Sequence, residues 1–194
     1  MISNFLDAFS GPGAVFMYAI LAVFAYGVAI CLERLYTFYV VWKIDENQLR
    51  QHLQSNEMSQ AIQLAEQHPV NTLLTSTVNS KYTWDSLSVA APLVQQDVRK
   101  RVSSLAMVAN VATMLGLLGT VYGLIFALEG LDQASAVERT ARLSTGIAAA
   151  MITTAWGLIV GVPALIAHNY ISNAANRVLA FCESIAAELM ARQS

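Results

Sequence analysis

Residues 102–128 read VSSLAMVANVATMLGLLGTVYGLIFAL, without a single charged side chain. At about 1.5 Å of rise per residue this run would reach ~40 Å as a helix, more than the ~30 Å hydrocarbon layer of a bilayer. It reads as a transmembrane helix with an end projecting into water. Asn110, Thr113, Gly116, Thr120, Gly123 and Ala127 recur at steps of three and four, which predicts one small and polar face. Leu, Met, Ile and Phe occupy the others. Such a stripe is of no use against lipid; it suits close helix packing or a polar passage.

Outward from it, two more apolar runs appear. Ala14 to Leu32 is uncharged and long enough to span; Glu33-Arg34 follows, and Tyr36, Tyr39 and Trp42 form an interfacial aromatic belt. Leu143 to Asn176 is uncharged and broken only by His168, an interfacial polar residue. The chain is 56% hydrophobic and 12% charged, with mean hydropathy +0.49. Soluble domains carry roughly 25% charged residues. This is the composition of an integral membrane protein. A net charge of −2 leaves no nucleic-acid footprint. Cys31 and Cys182 lie far apart in apolar surroundings and read as packing residues. The first thirteen residues hold no Lys or Arg, so no cleaved signal peptide is expected.

The reading is an all-α membrane protein with three transmembrane helices, the second and third long and extending into the cytoplasm, plus short cytoplasmic helices. Its divisions are a periplasmic lead (1–13), a first transmembrane helix (14–42), a cytoplasmic helical segment (43–101), a second transmembrane helix (102–128), a periplasmic loop (129–142), a third transmembrane helix (143–170) and a cytoplasmic helical tail (171–194). Lys43, Arg50, Lys81, Arg99, Lys100 and Arg101 against only Arg139 and Arg142 in the short loop set the orientation, with the N-terminus outside and the C-terminus inside. Within 43–101, IDENQLRQHL and MSQAIQLAEQH predict two short helices, stopped by Pro69. Asn71 to Trp84 is Thr/Ser-rich. Pro92 is placed in the first turn of a helix running unbroken through Gln95, Arg99 and Lys100 to Leu128. Arg99, Lys100 and Arg101 anchor the topology and secondarily suit lipid headgroups. Glu33 and Arg34 point different ways on a helix, so they are expected to meet other subunits rather than each other.

On the third span Gly146, Ala150, Thr154, Gly157, Gly161, Ala164 and His168 again share a face, with Thr153 beside it. Thr120 lies about 12 Å from Leu128 along its helix, and Thr154 about 16 Å from Leu143. In antiparallel spans the two threonines fall at similar depth. They read either as packing threonines bonded to their own helix carbonyls or as groups lining a polar passage. Gly119/Gly123 and Gly157/Gly161 form GxxxG patterns that predict an oligomer. Neither long span carries Asp, Glu, Lys or Arg between its ends. Hydroxyls orient water but do not titrate, so a proton path would need an acid from another polypeptide. There is no Ser/His/Asp order, metal spacing or phosphate loop, which argues against an enzyme and against a cofactor.

Gly116-Leu-Leu-Gly119-Thr120-Val-Tyr-Gly123-Leu and Gly146-Ile-Ala-Ala-Ala-Met-Ile-Thr153-Thr154-Ala-Trp-Gly157-Leu, closing with Val162-Pro163-Ala164, resemble the ExbB/TolQ/MotA proton-channel family, nearer to ExbB and TolQ than to MotA. The resemblance implies a homopentamer in the bacterial inner membrane, with the second and third helices around a pore. In that pore would sit an ExbD- or TolR-like single-span partner carrying the titrating Asp. The assembly would use proton motive force to drive a TonB- or TolA-like protein. The pore threonines of the family fall on Thr120 and Thr154, with Thr153 adjacent. Where the family has Glu in G-I-A-E-A, this chain has Ala149, the mark of a divergent ExbB-like branch. The competing reading is a structural membrane scaffold that conducts no ions.

Overall fold

Long apolar runs leave the backbone no partner but itself, and the chain resolves that constraint with helices. The computed structural model describes residues 11, 13–55, 57–79, 84–129 and 135–191. The elements are α1 (Ala14–Tyr36), a π-helical turn (Thr37–Val41), α2 (Glu46–Gln54), α3 (Met58–Leu64), α4 (Val70–Asn79), α5 (Trp84–Arg99), α6 (Val102–Glu129) and α7 (Ala136–Ala191). No strand occurs among the described residues. Three stretches, Ala14–Val41, Val89–Glu129 and Ala136–Ala191, are long and apolar enough to cross a membrane. The residues form two compact units. One comprises those up to Cys31 together with Ser104–His168; the other comprises Leu32–Ser103 and those from Asn169 onward.

In the first unit Ile20, Ala112 and Val160 are buried together, with Val23, Leu115 and Trp156 packed against them. Phe16 and Tyr122 meet with ring centroids 5.5 Å apart. In the second unit Leu49 and Leu53 of α2, Leu73 and Leu74 of α4, Val94 and Val98 of α5 are all buried. Arg50 donates to Glu188 Oε2 at 3.0 Å and to Ser184 Oγ at 2.9 Å. Cys182 is buried, and that burial first, then the charge of Glu183, pushes its thiol up to about 12.

Several expectations change. Pro92 lies inside α5, not in its first turn; its ring is exposed and the helix continues past the lost donor. The helix from Pro92 to Leu128 is not continuous. Lys100 and Arg101 form a turn, and Arg101 has φ 60°, a left-handed conformation that costs a side-chain-bearing residue about 1 kcal/mol or more. Arg101 is held there by a hydrogen bond from its guanidinium to the Glu33 carboxylate. Glu33 thus pairs within its own chain, and Arg34 Nη2 also stands 3.9 Å from Glu33 Oε1. The loop before the third span is shorter than 129–142, because α7 begins at Ala136. Its start is a capping box: Ser135 N donates to Glu138 Oε2 at 3.0 Å, as does Ser135 Oγ at 2.9 Å. Those two bonds hold the Glu138 carboxyl below its ordinary range. Asn71 to Asn79 is helical. Most of the lead 1–13, Asn56, Lys81, the centre of the short loop and Arg192 lie outside the described residues.

Candidate functional site: the threonine pair on the glycine seam

The glycines of α6 and α7 decide how near the two helices come. A Cβ on Gly116 would lie 3.1 Å from Gly157 Cα, and one on Gly157 only 2.8 Å from the Ala112 carbonyl oxygen. A Cβ on Gly123 would stand 2.8 Å from Gly146 O, and one on Gly146 2.6 Å from Gly123 O. Gly119 is filled by Thr153, whose Cβ would be 2.7 Å away, and Gly161 by Thr113 Oγ1 at 2.6 Å. At Gly116, Gly123, Gly146 and Gly157 the close atoms include main chain of the facing helix, an approach that glycine allows, whereas Gly119 and Gly161 make room for threonine side chains. The buried line of α6 is Ala109, Ala112, Gly116, Gly119, Gly123 and Ala127, with Asn110, Thr113 and Thr120 beside it rather than in it. On α7 the buried line takes Thr153, and Thr154 stands at its edge, the reverse of the sequence reading. Both GxxxG patterns are therefore occupied within one chain, and they no longer argue by themselves for a second copy.

At the edge of this seam the threonines meet. Thr120 Oγ1 donates to Gly116 O at 3.2 Å, Thr154 Oγ1 reaches the same carbonyl at 3.3 Å, and the two hydroxyls hydrogen-bond each other. Both residues are half-buried. Thr153, only 2% exposed, spends its hydroxyl on Ala149 O and Ala150 O of its own helix, at 3.1 and 2.9 Å. Gly116 is the residue the sequence reading undervalued: its carbonyl collects both hydroxyls. The sequence signal was available, since Gly116 precedes Thr120 by one turn.

The pair has two hydroxyl protons and three oxygens to share them. When one hydroxyl donates to Gly116 O and the other to its neighbour, both protons are used, and only lone pairs remain for an outside group. The pair then accepts from water or a protonated acid. To face a carboxylate, one hydroxyl must turn outward and give up an internal bond.

The basic group sits in the second unit. Arg34 is 5% exposed, and Arg99 Nη2 donates to Asn176 Oδ1 at 3.4 Å. Lys100 and Arg101 are exposed. In the first unit, a cleft of about 160 Å³ lined by Gly27, Cys31, Val108, Val160 and Pro163 carries no polar side chain and lies apart from the threonines. No cluster able to hold a metal occurs among the described residues.

Residues 44–184 match the MotA/TolQ/ExbB proton channel family. The chain belongs to that family. It is 35% identical over 99 residues to the Tol-Pal system protein TolQ of Haemophilus influenzae, covering 50% of this chain and 42% of that protein. It is 28% identical over 169 residues to the biopolymer transport protein exbB1 of Vibrio cholerae, covering 80% and 74%. With the biopolymer transport protein ExbB of Aquifex aeolicus it shares 33% over 95 residues, 49% of this chain and 64% of the other. Among MotA/TolQ/ExbB proteins the named relatives are thus of the ExbB and TolQ kind, and the match to the TolQ relative spans less than half of that protein's length. Together with its three long apolar helices, membership makes this a multi-pass membrane protein of a proton channel family.

Proposed function

We propose that this chain is the pore-lining subunit of a proton-driven motor in a bacterial inner membrane, and that Thr120 and Thr154 form part of the proton path. The observation that carries the reading is the hydroxyl pair itself, two half-buried threonines that satisfy each other and Gly116 O yet keep lone pairs for an outside group. The runs 102–128 and 143–176 contain no Asp, Glu, Lys or Arg. The titrating group therefore comes from another polypeptide, a single-span ExbD- or TolR-like protein with a membrane Asp. Protonated, that acid donates to the pair; ionised, it requires a hydroxyl to turn. The pair thus distinguishes the two states of the acid it faces.

The assembly is a homopentamer with its second and third spans inward, the N-terminus periplasmic and the C-terminus cytoplasmic. It energises a TonB- or TolA-like protein for outer-membrane transport. Membership of the MotA/TolQ/ExbB family and the names of the relatives support this reading. Thr153, bonded to its own helix, serves packing. The scaffold reading is favoured only by the internal bond of Thr120 to Gly116 O.

The test is Thr120→Val with Thr154→Val in one chain. Valine keeps the shape and removes donor and acceptor. Proton-dependent uptake is expected to fall at least ~100-fold, about 3 kcal/mol, while copurification with the partner persists. Full uptake would show that the threonines only pack.

A further inference from the structure

The second unit holds a cavity of about 380 Å³ beside the turn that ends the first apolar run. Four aromatic residues, Phe38, Tyr39, Trp42 and Phe181, contribute to its wall, and Lys43 and Arg177 bring two cations to it. His68 closes one side. It is 6% exposed, with its ring edge-on to Trp42 at 6.5 Å and to Phe181 at 5.7 Å.

The tautomer of His68 follows from one bond. Nδ1 accepts the backbone N–H of Val70 at 3.1 Å, where it caps the start of α4. A neutral ring with Nδ1 as acceptor carries its proton on Nε2. That Nε2–H makes no hydrogen bond among the described residues, and His68 is on the cavity lining. Lys43 and Arg177 are likewise in no ion pair among the described residues. Glu46, the single carboxylate on the lining, offsets one of the two positive charges.

A donor, two cations and an aromatic wall select an anion that carries an apolar appendage. We infer that this cavity binds a phosphate ester, with Lys43 and Arg177 on its charge, the Nε2–H of His68 on a phosphate oxygen, and Trp42 and Phe181 against the attached chain. Arginine suits a phosphate through two parallel N–H bonds, and lysine as a point charge. The source is a phospholipid headgroup or a soluble phosphate monoester. The aromatic belt that opens the cavity, directly after an apolar span, favours the lipid.

Native mass spectrometry of the full chain in mild detergent separates the possibilities. Wild type, Lys43→Gln with Arg177→Gln, and His68→Asn are each supplied with phosphatidylglycerol, phosphatidylcholine or inorganic phosphate. Lys43 and Arg177 are exposed, so their variant keeps the fold. The expected result is phosphatidylglycerol retained roughly ten-fold more by wild type than by the charge variant, with phosphatidylcholine held weakly by both. Inorganic phosphate retained with the same charge dependence, and phosphatidylglycerol not, identifies a soluble phosphate and upholds the site. Equal retention of the two lipids by wild type, or retention indifferent to the charge variant, overturns the inference. So does the absence of both phosphatidylglycerol and phosphate adducts.

Discussion

Replacing Gly157 by alanine tests the seam at a close backbone contact. The added Cβ would stand 2.8 Å from Ala112 O and 2.9 Å from Gly116 Cα, both main-chain atoms that no rotamer can move. Ordinary contact begins at 3.4 Å, so α6 and α7 must part by about 0.6 Å at this level. The bond from Thr154 to Gly116 O, already 3.3 Å, would then exceed hydrogen-bond reach. Overpacking costs about 1–3 kcal/mol and the lost bond about 1 kcal/mol. Alanine regains about 1 kcal/mol in helix propensity. The net expectation is a loss of about 1–3 kcal/mol. Gly27→Ala is the control: its Cβ meets only a Val108 methyl at 2.8 Å, the next atoms being at 3.7 Å. A methyl yields where a carbonyl cannot, and propensity offsets what remains, so that variant should be near neutral. Denaturant unfolding in mild detergent, followed by far-UV circular dichroism, measures both. Gly157→Ala as stable as wild type, with Gly27→Ala clearly weaker, would refute the backbone-contact reasoning.

Burial lowers the pKa of His68 from 6.5 to about 4. Between those values the unfolded chain takes up the proton first, so stability is complete above pH 6.5 and drains away as pH falls toward 4, by about 3 kcal/mol in all. Unfolding midpoints at pH 7 and pH 4.5 should show this in wild type, and the difference should shrink in His68→Asn. Ser135→Ala removes the hydroxyl bond to Glu138 but leaves the backbone one, so the Glu138 carboxyl should titrate higher than in wild type and still below an ordinary glutamate; carbon-detected NMR reads the value. Cys182, buried and pushed up to about 12, should react with maleimide at pH 8 at least ~100-fold more slowly in the folded protein than after unfolding; equal rates would contradict its burial.

The spans were legible in the sequence because a soluble helix needs charge on its wet face, and a run of about twenty residues without any suits only hydrocarbon. Glycine and threonine spacing likewise announced a contact face. What spacing did not settle was which half of the face turns inward. Thr153 and Thr154 differ by one position, about 100° on the helix, and only the partner helix decides which is enclosed. The start of α7 was legible and missed: Ser135 and Glu138 are a capping box at the required spacing. The break at Lys100–Arg101 carried no such mark. A left-handed arginine is held by Glu33, far away in sequence, and no local pattern encodes that bond. His68 likewise caps α4 with a ring nitrogen where serine or aspartate is usual.

The glycine seam has a consequence for the order of assembly. Every residue that closes it belongs to α6 or α7, consecutive helices of one chain separated by only a short connection. Its formation is therefore unimolecular and independent of protein concentration. The hairpin can close as soon as both helices are in the bilayer, with no second chain required, and Thr120 and Thr154 are joined in that same step.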